Sequence, residues 1–593
     1  MNSSIQLKKK YIDYFVSKGH KQIDSSSVVP DNDPSCLFNT AGMQPLVPFL
    51  LGNPHPRGKR LVDYQKCFRL TDLESVGDKT HHTFFEMLGN WSLGDYFKQD
   101  AIKWSFEFLT KVLAIPTNYL SVTVFEGNEV VPRDIEAANC WLELGISPNH
   151  IAYLPAENNW WPSLDQYGPC GSDTEIFYWS DTTETPPESF DPDDDRWVEI
   201  WNNVFMQFEH KPTGEFVELK QKNVDTGMGV ERATAALSGV DDNYRTELWW
   251  PIITKICELS GREYDHDNER AMRIVADHCR AILMIASDKA GIVPSNTDQG
   301  YVLRRLIRRM LRYAKILGID INTDFDIEIV ETVSHIMGNY YPEVIENLEQ
   351  VKKVLRNERQ KFSKTIESGT KMLNKYLLNL GDKKMLSAEE AFKLFDTFGF
   401  PIEMTAEIAS EHGITVDVNG FDELFAQHQE KSRKGSEGKF KGGLAENNIE
   451  TARLHTATHL LQAALRNVLG EEVQQKGSNI TSERLRFDFS FSRKMTDDEI
   501  NKVEQIVNQA ILEKIDVVKK EMTYDDAKSY GALGFFEQKY NDRVYVYDIA
   551  GYSKEICGGP HAKNTGELGQ FHIVKEQACA SGIRRIKAVI QHN

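Results

Sequence analysis

The sequence predicts an α+β protein that is divided into several domains. At 593 residues the chain is too long for a single hydrophobic core. Helical and β-rich segments are mixed up to about residue 245, and strongly helical, amphipathic sequence then continues to about residue 430. Helices and strands are mixed again in the last quarter. We therefore expect domains at residues 1–246, 247–440 and 441–593.

The first predicted domain contains stretches that are rich in β-branched and aromatic residues. They lie at residues 121–125, 175–179 and 198–208. The acidic, proline-containing segment 182–195 is typical of a surface loop. This part should therefore combine strands with helices.

The second predicted domain is helical, with long charged runs such as residues 351–380. Residues 301–312 place apolar side chains on one helix face and five arginines on the other. A solvated helix face is the usual explanation of such a run, and a phosphate-binding face is at least as good an interpretation because no acid lies among the arginines. These arginines are Arg304, Arg305, Arg308, Arg309 and Arg312.

The third predicted domain follows a segment, residues 431–448, that is rich in Lys, Gly, Ser, Glu and Asn and is typical of a linker. Beyond it, helices are predicted at 451–469 and 497–513, and strands at 484–490 and 543–549.

Composition limits the classes of function. The formal net charge of −19 excludes general attraction to nucleic acid, so any such contact requires local basic patches. No apolar run approaches the ~20 residues that cross a bilayer, so no membrane contact is expected. The eight scattered cysteines favour reduced thiols and a cytoplasmic location.

Two histidine-containing motifs predict a metal site in the last domain. His455 and His459 are four residues apart on a predicted helix, so both can bind one ion. Cys557 and His561 flank a Gly-Gly-Pro turn. Three imidazoles and a thiolate suit tetrahedral Zn²⁺. Either pair alone would favour surface histidines and a structural cysteine, but the two together favour one hydrolytic or structural zinc ion per chain.

A second set of residues predicts nucleotide binding in the first domain. The string DTGMGVER at residues 225–232 places glycines and Arg232 at the start of a helix, where a polyphosphate can bind. Arg69 and the string HHTFFEMLGN at residues 81–90 lie upstream. Together they suggest ATP in a bent form, held by two arginines and an aromatic ring. A tight turn is the alternative for the glycines, and His81 and His82 are alternative metal ligands.

Several motifs in order resemble the landmarks of the alanyl-tRNA synthetases, a family of class II aminoacyl-tRNA synthetases. The likeness extends from about residue 5 to the C-terminus. The matching segments are residues 39–43, 81–90, 201–208, 225–232, 294–296, 300–309, 396–401, 455–459, 473–478 and 557–561.

The resemblance implies a catalytic domain with an antiparallel sheet of six or seven strands, a helical tRNA-recognition domain and a small α+β zinc editing domain. It implies activation of L-alanine with ATP and Mg²⁺ to alanyl-adenylate, and transfer of alanine to tRNA(Ala). By the same resemblance, Arg69 holds the α-phosphate, Arg232 the γ-phosphate, and Asp225 the ammonium of alanine.

The resemblance also assigns the surroundings of the two substrates. Trp161, Val204 and Gly227 would line the methyl pocket, although plain core packing explains the first two equally well. Either Phe84 or Phe85 would stack on adenine. The other residues assigned to ATP or alanine are Met87, Asn202, Gly229 and Glu199, the last as a magnesium ligand.

For the tRNA, the resemblance implies recognition of a G·U pair in the acceptor stem by Asn296 and Asp396. Arg304, Arg305, Arg308 and Arg309 would hold phosphates. A small apolar pocket rejects a substrate with one extra hydroxyl by only ~10², so serine leaks through. The zinc centre would clear Ser-tRNA(Ala), with Thr458 and Gln475 contacting the mischarged substrate.

The chain departs from the family at four places. The loop after Arg69 is short, and Cys170 lacks the partners that bind zinc in some members, so no zinc is expected in the N-terminal half. Between residues 441 and 451 there is no room for the β-barrel that usually precedes the editing helix, which makes editing of Gly-tRNA(Ala) less certain. The family's C-terminal domain is missing, which favours a monomer.

Two rival hypotheses stay open. The first is that the chain is a homologue that charges alanine onto an acceptor other than tRNA(Ala), against which Asn296, Asp396 and the arginine face argue. A degenerate tRNA-binding or sensing protein is the non-enzymatic alternative, against which Arg69, Asp225 and Arg232 argue.

Overall fold

A computed structural model of the chain describes residues 3–30, 36–128, 131–162, 166–381, 383–437, 449–471, 473–491, 493–533, 543–580 and 583–591, with the backbone alone at 429–437, 525 and 578–580. The chain forms two compact units, Met1–Val418 and Asn419–Asn593.

The first unit is built on a nine-stranded sheet in the order β1-β2-β3-β9-β8-β7-β4-β5, with β6 paired to β7. The six strands from β2 to β4 in this order are antiparallel, while β1 and β5 join the two edges in parallel. The expected antiparallel sheet is therefore confirmed, but the short strands β1, β5 and β6 raise the number of strands from the predicted six or seven to nine. The strands are β1 (Lys21–Gln22), β2 (Arg60–Phe68), β3 (Phe84–Leu93), β4 (Leu120–Phe125), β5 (Ile151–Leu154), β6 (Trp160–Trp161), β7 (Gly168–Trp179), β8 (Trp197–His210) and β9 (Phe216–Gly229).

Helices flank this sheet, and the chain that follows it is almost entirely helical. Those within the sheet region are α1 (Ser4–Ser17), α2 (Val47–Leu50), α3 (Lys98–Glu107), α4 (Ile135–Leu144), α5 (Ala156–Asn159) and α6 (Val230–Ser238). The helices that follow are α7 (Trp250–Ser260), α8 (Glu269–Ala286), α9 (Asp298–Ile316), α10 (Phe325–Met337), α11 (Glu343–Glu346), α12 (Leu348–Phe362), α13 (Ile366–Asn379), α14 (Ala388–Phe398), α15 (Ile402–Ser410) and α16 (Val418–Glu437), with a short parallel pair β10 (Met385–Leu386) and β11 (Thr415–Val416). The predicted run 351–380 is divided between α12 and α13.

Helix α8 is the central helix of the helical region. Every residue from Ala271 to Ala286 is buried, including Arg273, Asp277, His278 and Arg280. Burial of charged groups is costly unless each finds a partner, so these side chains must be paired. Arg280 pairs with Glu86 on β3 and Glu231 on α6, and Arg273 pairs with Asp242 and with Glu269 of its own helix.

The predicted linker is partly helical. Helix α16 extends to Glu437, and residues 438–448, which contain the predicted boundary 440/441, lie outside the described residues. The predicted boundary 246/247 lies inside the first compact unit and stays a prediction. Segment 182–195 contains no helix or strand, as expected of a loop.

The second unit packs two helices against antiparallel sheets. Apolar residues of α17 and α18 form its main core together with β12, β13, β17 and β18. Strands β12-β13-β18-β17 make one sheet and β14-β15-β16 another. The elements are α17 (Ile449–Leu469), β12 (Gln475–Ile480), β13 (Leu485–Ser490), α18 (Asp497–Leu512), β14 (Val517–Thr523), α19 (Tyr524–Ser529), β15 (Arg543–Ile549), β16 (Ser553–Ile556), β17 (Gln570–Ala580) and β18 (Ile583–Gln591). None of the helices in the described ranges is both long and apolar enough to pass through a bilayer.

Candidate active site and metal centre

A cleft on one face of the catalytic sheet collects most of the predicted ATP and alanine residues. Arg69, Phe85 and Met87 line it together with Glu199, Gly227, Gly229 and Arg232. Directly paired residues of neighbouring strands project to the same face of a sheet. The cleft therefore follows from the strand register rather than from nearness in sequence.

Two paired glycines make room for two neighbouring side chains at the cleft. Gly89 on β3 pairs with Gly227 on β9. A Cβ atom on Gly227 would lie 2.6 Å from the sulfur of Met87, and one on Gly89 would lie 2.2 Å from the ring of Trp91. Larger residues would displace both neighbours, so glycine at these positions lets Met87 and Trp91 lie directly over the sheet.

Arg69 lies at one side of the cleft, directly after β2. Its Nε donates to the carbonyl of Thr40 at 3.2 Å, and its guanidinium lies 5.0 Å from the ring centre of Phe85 and 5.5 Å from that of Trp161. Phe84 faces the other way, is fully buried and contacts Arg280. Of the two phenylalanines predicted to stack on adenine, Phe85 lines the cleft and Phe84 does not, because successive strand residues point to opposite faces.

Arg232 lies at the other side of the cleft, in the first turn of α6. Its Nη1 donates to the carboxylate of Glu199 at 2.9 Å, and both side chains are about one-third exposed. Two guanidinium groups in one cleft suit a polyphosphate, which would compete with Glu199 for Arg232.

Asp225 lies on β9, two residues before Gly227, and therefore projects to the same face of the sheet. It is 6% exposed, and the indole N–H of Trp91 donates to its Oδ1 at 2.6 Å. Burial raises the pKa of Asp225 to about 7, despite the hydrogen bond from Trp91. Val204 pairs with Asp225 across the sheet and packs in the same apolar cluster as Trp91 and Trp161. A small cationic ligand would find a carboxylate and an apolar wall together.

Asp173, a second buried acidic residue of the sheet, was not predicted from the sequence, and it lies beside the predicted residue Asn202. Asn202, half-buried on β8, has a buried Oδ1 without a hydrogen-bond partner among the described residues. Nearby Asp173 accepts from Asn159 at 2.9 Å, and burial raises its pKa to about 7. The only sequence signal for Asp173 was its position in the string GPCGSDTE, and the sequence does not show which residues of the next strand pair with this string.

A buried hydrogen-bond chain supports the Arg69 side of the cleft. Arg69 N donates to the carbonyl of Thr83 at 2.9 Å, and Thr83 N donates to Asp277 at 2.9 Å. Asp277 accepts from His278 Nδ1 at 2.9 Å, and His278 Nε2 accepts from Arg309 at 3.0 Å. Arg309 also donates to the carbonyl of Leu73, in the loop after Arg69, at 3.2 Å. Helices α8 and α9 therefore hold the segment that carries Arg69.

The arginine run on α9 does not form the predicted phosphate-binding face. Arg309 is 3% exposed and pairs with Glu407 at 2.8 Å. Each of the others also meets a carboxylate, because α9 packs between helices that supply acids. The remaining pairs are Arg304 and Arg308 with Glu358, Arg305 with Glu74 and Glu403, and Arg312 with Glu407 and Glu411.

The two residues predicted to read the acceptor stem are both exposed. Asn296 precedes α9 and accepts a hydrogen bond from Arg304, while Asp396 lies on α14. Their positions leave both side chains accessible to a partner.

The four predicted metal ligands meet in the second unit. One ligand atom from each of His455, His459, Cys557 and His561 lies within 4.8 Å of the others. Helix α17 supplies the first two side chains from one face, and the turn after β16 supplies the other two. The two sequence motifs therefore predicted the cluster.

Two of the three imidazoles have a buried nitrogen without a partner among the described residues, whereas Nε2 of His455 lies 3.5 Å from the sulfur of Cys557. His455 Nδ1 donates to the carbonyl of Pro560 at 3.1 Å, and His561 Nδ1 lies 3.2 Å from the hydroxyl of Thr456. Nδ1 of His459 and Nε2 of His561 are buried without a hydrogen-bond partner in the described part of the chain. A buried polar atom without a partner is costly, and a metal ion would satisfy both.

The electrostatics of the cluster fit a metal. Burial lowers the pKa of His455 to about 4, and it also lowers those of His459 and His561 well below their ordinary value, so all three imidazoles are neutral and can donate a lone pair. Burial raises the pKa of Cys557 to about 11, a cost that a bound cation would reverse. Neutral imidazoles with one thiolate are a typical zinc donor set.

Several neighbours of the ligands were not predicted. Glu555, 1% exposed, lies 3.5 Å from Nε2 of His459, and the ring of Tyr547 lies 4.0 Å from that of His561. The two predicted substrate contacts are less direct. Thr458 donates to the carbonyl of Leu454 at 2.8 Å, and Gln475 is half-buried on β12 without a hydrogen bond to the ligands in the described ranges.

Comparison with known proteins agrees with this architecture. The family described as "tRNA synthetases class II (A)" matches residues 6–486, and "Threonyl and Alanyl tRNA synthetase second additional domain" matches residues 544–587. The "Alanine--tRNA ligase" of Borrelia hermsii is 51% identical over 595 residues, covering 99% of each chain. The protein of the same name from Treponema denticola is 51% identical over 605 residues, covering 100% of each. That of Fervidobacterium nodosum is 36% identical over 702 residues, covering 99% of this chain and 79% of the relative. The chain therefore belongs to the alanine–tRNA ligase family of the class II tRNA synthetases.

Proposed function

We propose that the chain ligates L-alanine to tRNA(Ala) through alanyl-adenylate and hydrolyses mischarged Ser-tRNA(Ala). The observation that carries the synthetic half is Asp225, a buried carboxylate on the same sheet face as Gly227 and Gly229, which line the cleft with Arg69 and Arg232. The proposal agrees with the activity in the printed names of the relatives.

In the proposed reaction, Asp225 binds the ammonium of alanine, and Val204 and Trp161 limit the space for its side chain. The carboxylate of alanine then attacks the α-phosphate of ATP, and pyrophosphate leaves. Arg69 balances the charge that develops at the α-phosphate, and Arg232 holds the γ-phosphate. Phe85 offers its ring to adenine, because it faces the cleft beside Arg69.

We assign Mg²⁺ to the ATP phosphates, with Glu199 as its protein ligand. Release of Arg232 from Glu199 would free both groups for their proposed partners. When bound, Mg²⁺ offsets phosphate charge.

The metal centre is proposed as the hydrolytic site. A zinc ion held by His455, His459, Cys557 and His561 would supply a Lewis acid for the ester or for water. Thr456 and Glu555 would hold two of the ligands in orientation. A second site is needed because small apolar pockets typically reject a substrate with one extra hydroxyl by only ~10². Activity on Gly-tRNA(Ala) is the less certain part of this proposal.

For tRNA, we retain Asn296 and Asp396 as the residues that read the acceptor stem, and we drop the arginine run of α9 because intramolecular carboxylates occupy it. A monomeric chain remains our prediction for the oligomeric state. We also propose a cytoplasmic location, since the seven described cysteines are all free thiols.

One assay tests the proposal against both rivals. ATP–pyrophosphate exchange with alanine should occur, and charging of total tRNA should then be confined to tRNA(Ala). Exchange without charging would favour a ligase for another acceptor. Absence of exchange would favour a tRNA-binding protein without synthetic activity.

A further inference from the structure

One face of the sheet β14-β15-β16 lies beside the metal centre. Tyr545 and Tyr547 are two residues apart on β15, so both side chains project to the same face. Tyr547 pairs with Lys519 on β14 and with Glu555 on β16. This face therefore carries two aromatic rings, a lysine and the glutamate that contacts His459.

The face is joined directly to the metal ligands. The ring of Tyr547 lies 4.0 Å from that of His561, and the backbone N–H of Cys557 donates to the carbonyl of Tyr545 at 3.0 Å. Tyr547 is 8% exposed, whereas Tyr545 is 42% exposed. The aromatic surface therefore runs from the metal centre outward, over the ~7 Å that separate alternate residues of a strand.

Lys519 adds positive charge to the exposed end of this surface. Its Nζ lies 3.7 Å from the ring centre of Tyr545. Within the described residues, no carboxylate pairs with Lys519, while Glu521, which lies opposite Tyr545, is paired with Arg543 at 3.0 Å. The ammonium of Lys519 and the exposed ring of Tyr545 together offer a nucleotide a positive charge beside an aromatic surface.

We propose that Tyr545 and Lys519 bind the terminal nucleotide of the mischarged tRNA, with the base stacked on Tyr545 and the adjacent phosphate near Lys519. This inference rests on the proposed editing function. The ester to be hydrolysed is attached to the terminal ribose. When that ester is at the metal, the base and phosphate of the same nucleotide must therefore lie close to the metal centre. Aromatic rings and lysines are the side chains that proteins use to bind single-stranded ends.

The test compares four variants of the full chain in hydrolysis of Ser-tRNA(Ala). Tyr545→Ala should lower kcat/KM by roughly 5- to 100-fold, the range expected for loss of one stacked base. Tyr545→Phe should retain most activity, and Lys519→Gln should lower kcat/KM with a reduced dependence on salt. Val518→Ala, an exposed neighbour on the opposite face, serves as the control. Zinc content should be equal in all four.

The outcomes separate the inference from the proposed function. If the parent hydrolyses Ser-tRNA(Ala) and Tyr545→Ala is equally active at equal zinc content, the inference is overturned and editing stands. If the parent does not hydrolyse it, the editing proposal fails. Binding of seryl-3′-amino-3′-deoxyadenosine, a non-hydrolysable mimic of the charged end, then decides the inference. Weaker binding by Tyr545→Ala than by Val518→Ala supports the inference, and equal binding overturns it.

Discussion

The indole N–H of Trp91 donates to the carboxylate of Asp225 at 2.6 Å, inside the catalytic sheet. This bond fixes the direction of a carboxylate whose pKa burial has raised to about 7. The carboxylate is therefore pre-oriented, and binding of an ammonium would restore its charge.

Replacement of Trp91 tests this orientation. Trp91→Phe removes the donor that lowers the pKa of Asp225, so the KM for alanine should rise about 10-fold in pyrophosphate exchange, in line with the ~1–3 kcal/mol of a hydrogen bond to a charged group. Trp141→Phe, which removes another buried indole donor at 2.9 Å from Thr174, is the matched control. Equal KM values in the two variants would contradict the role of Trp91.

The pH dependence of alanine binding should follow the same carboxylate. Because an ammonium needs an ionised partner, the KM for alanine should rise as pH falls below about 7, while the KM for ATP should change less. Exchange kinetics between pH 5.5 and pH 8.5, approximate limits chosen to bracket that pKa, would measure both constants. A flat alanine profile would mean that the bound and free states keep the same charge on Asp225.

Stability should respond in the opposite sense to activity. The Asp225 carboxyl has a higher pKa in the folded chain than its ordinary 3.8, so the folded state loses stability as pH rises from about 4 to about 7. Asp225→Asn should remove this loss and stabilise the chain at pH 8 by about 2–4 kcal/mol, with little change below pH 4. Denaturant unfolding at both pH values would check the sign, and destabilisation at pH 8 would contradict it.

The chain from Arg69 through Thr83 to Asp277 makes a separate prediction. Asp277→Asn removes the charged acceptor of Thr83 and His278, so Arg69 should lose its fixed position. The KM for ATP should rise about 10-fold and the KM for alanine should change less. Asp326→Asn is the control, because Asp326 is equally buried but pairs with Arg359. Equal effects in both variants would indicate general destabilisation.

Replacement of one metal ligand should separate the two activities. Cys557→Ala removes a ligand, so zinc content and hydrolysis of Ser-tRNA(Ala) should fall together while alanine charging survives. Metal analysis of the parent should give about one zinc per chain. A parent that holds zinc but leaves Ser-tRNA(Ala) intact would make the site structural.

The parts of the site that sequence predicted are those set by local spacing and by donor chemistry. His455 and His459 share a helix face, and Cys557 and His561 flank one short turn, so each pair followed from residues a few positions apart. The two pairs lie 102 positions apart at His455 and Cys557, and it was their matching donor chemistry, rather than spacing, that predicted their meeting.

The parts that sequence could not predict depend on distant partners. Arg308 meets Glu358, 50 positions away, and Arg309 meets Glu407, 98 positions away, so the arginine run could not be identified as an internal ion-pair face. Asp277 likewise lies 194 positions from Thr83. Helix packing decides these pairs, and no local pattern encodes it.

The most direct test of the synthetic site is alanine-dependent ATP–pyrophosphate exchange by Asp225→Asn. A neutral amide cannot balance the ammonium of alanine in a buried site, and loss of such a partner costs ~3–5 kcal/mol. Exchange should therefore fall by at least about 100-fold, although the variant remains folded. Exchange within about threefold of the parent would contradict the account, because a loss of ~3–5 kcal/mol requires a far larger fall in rate.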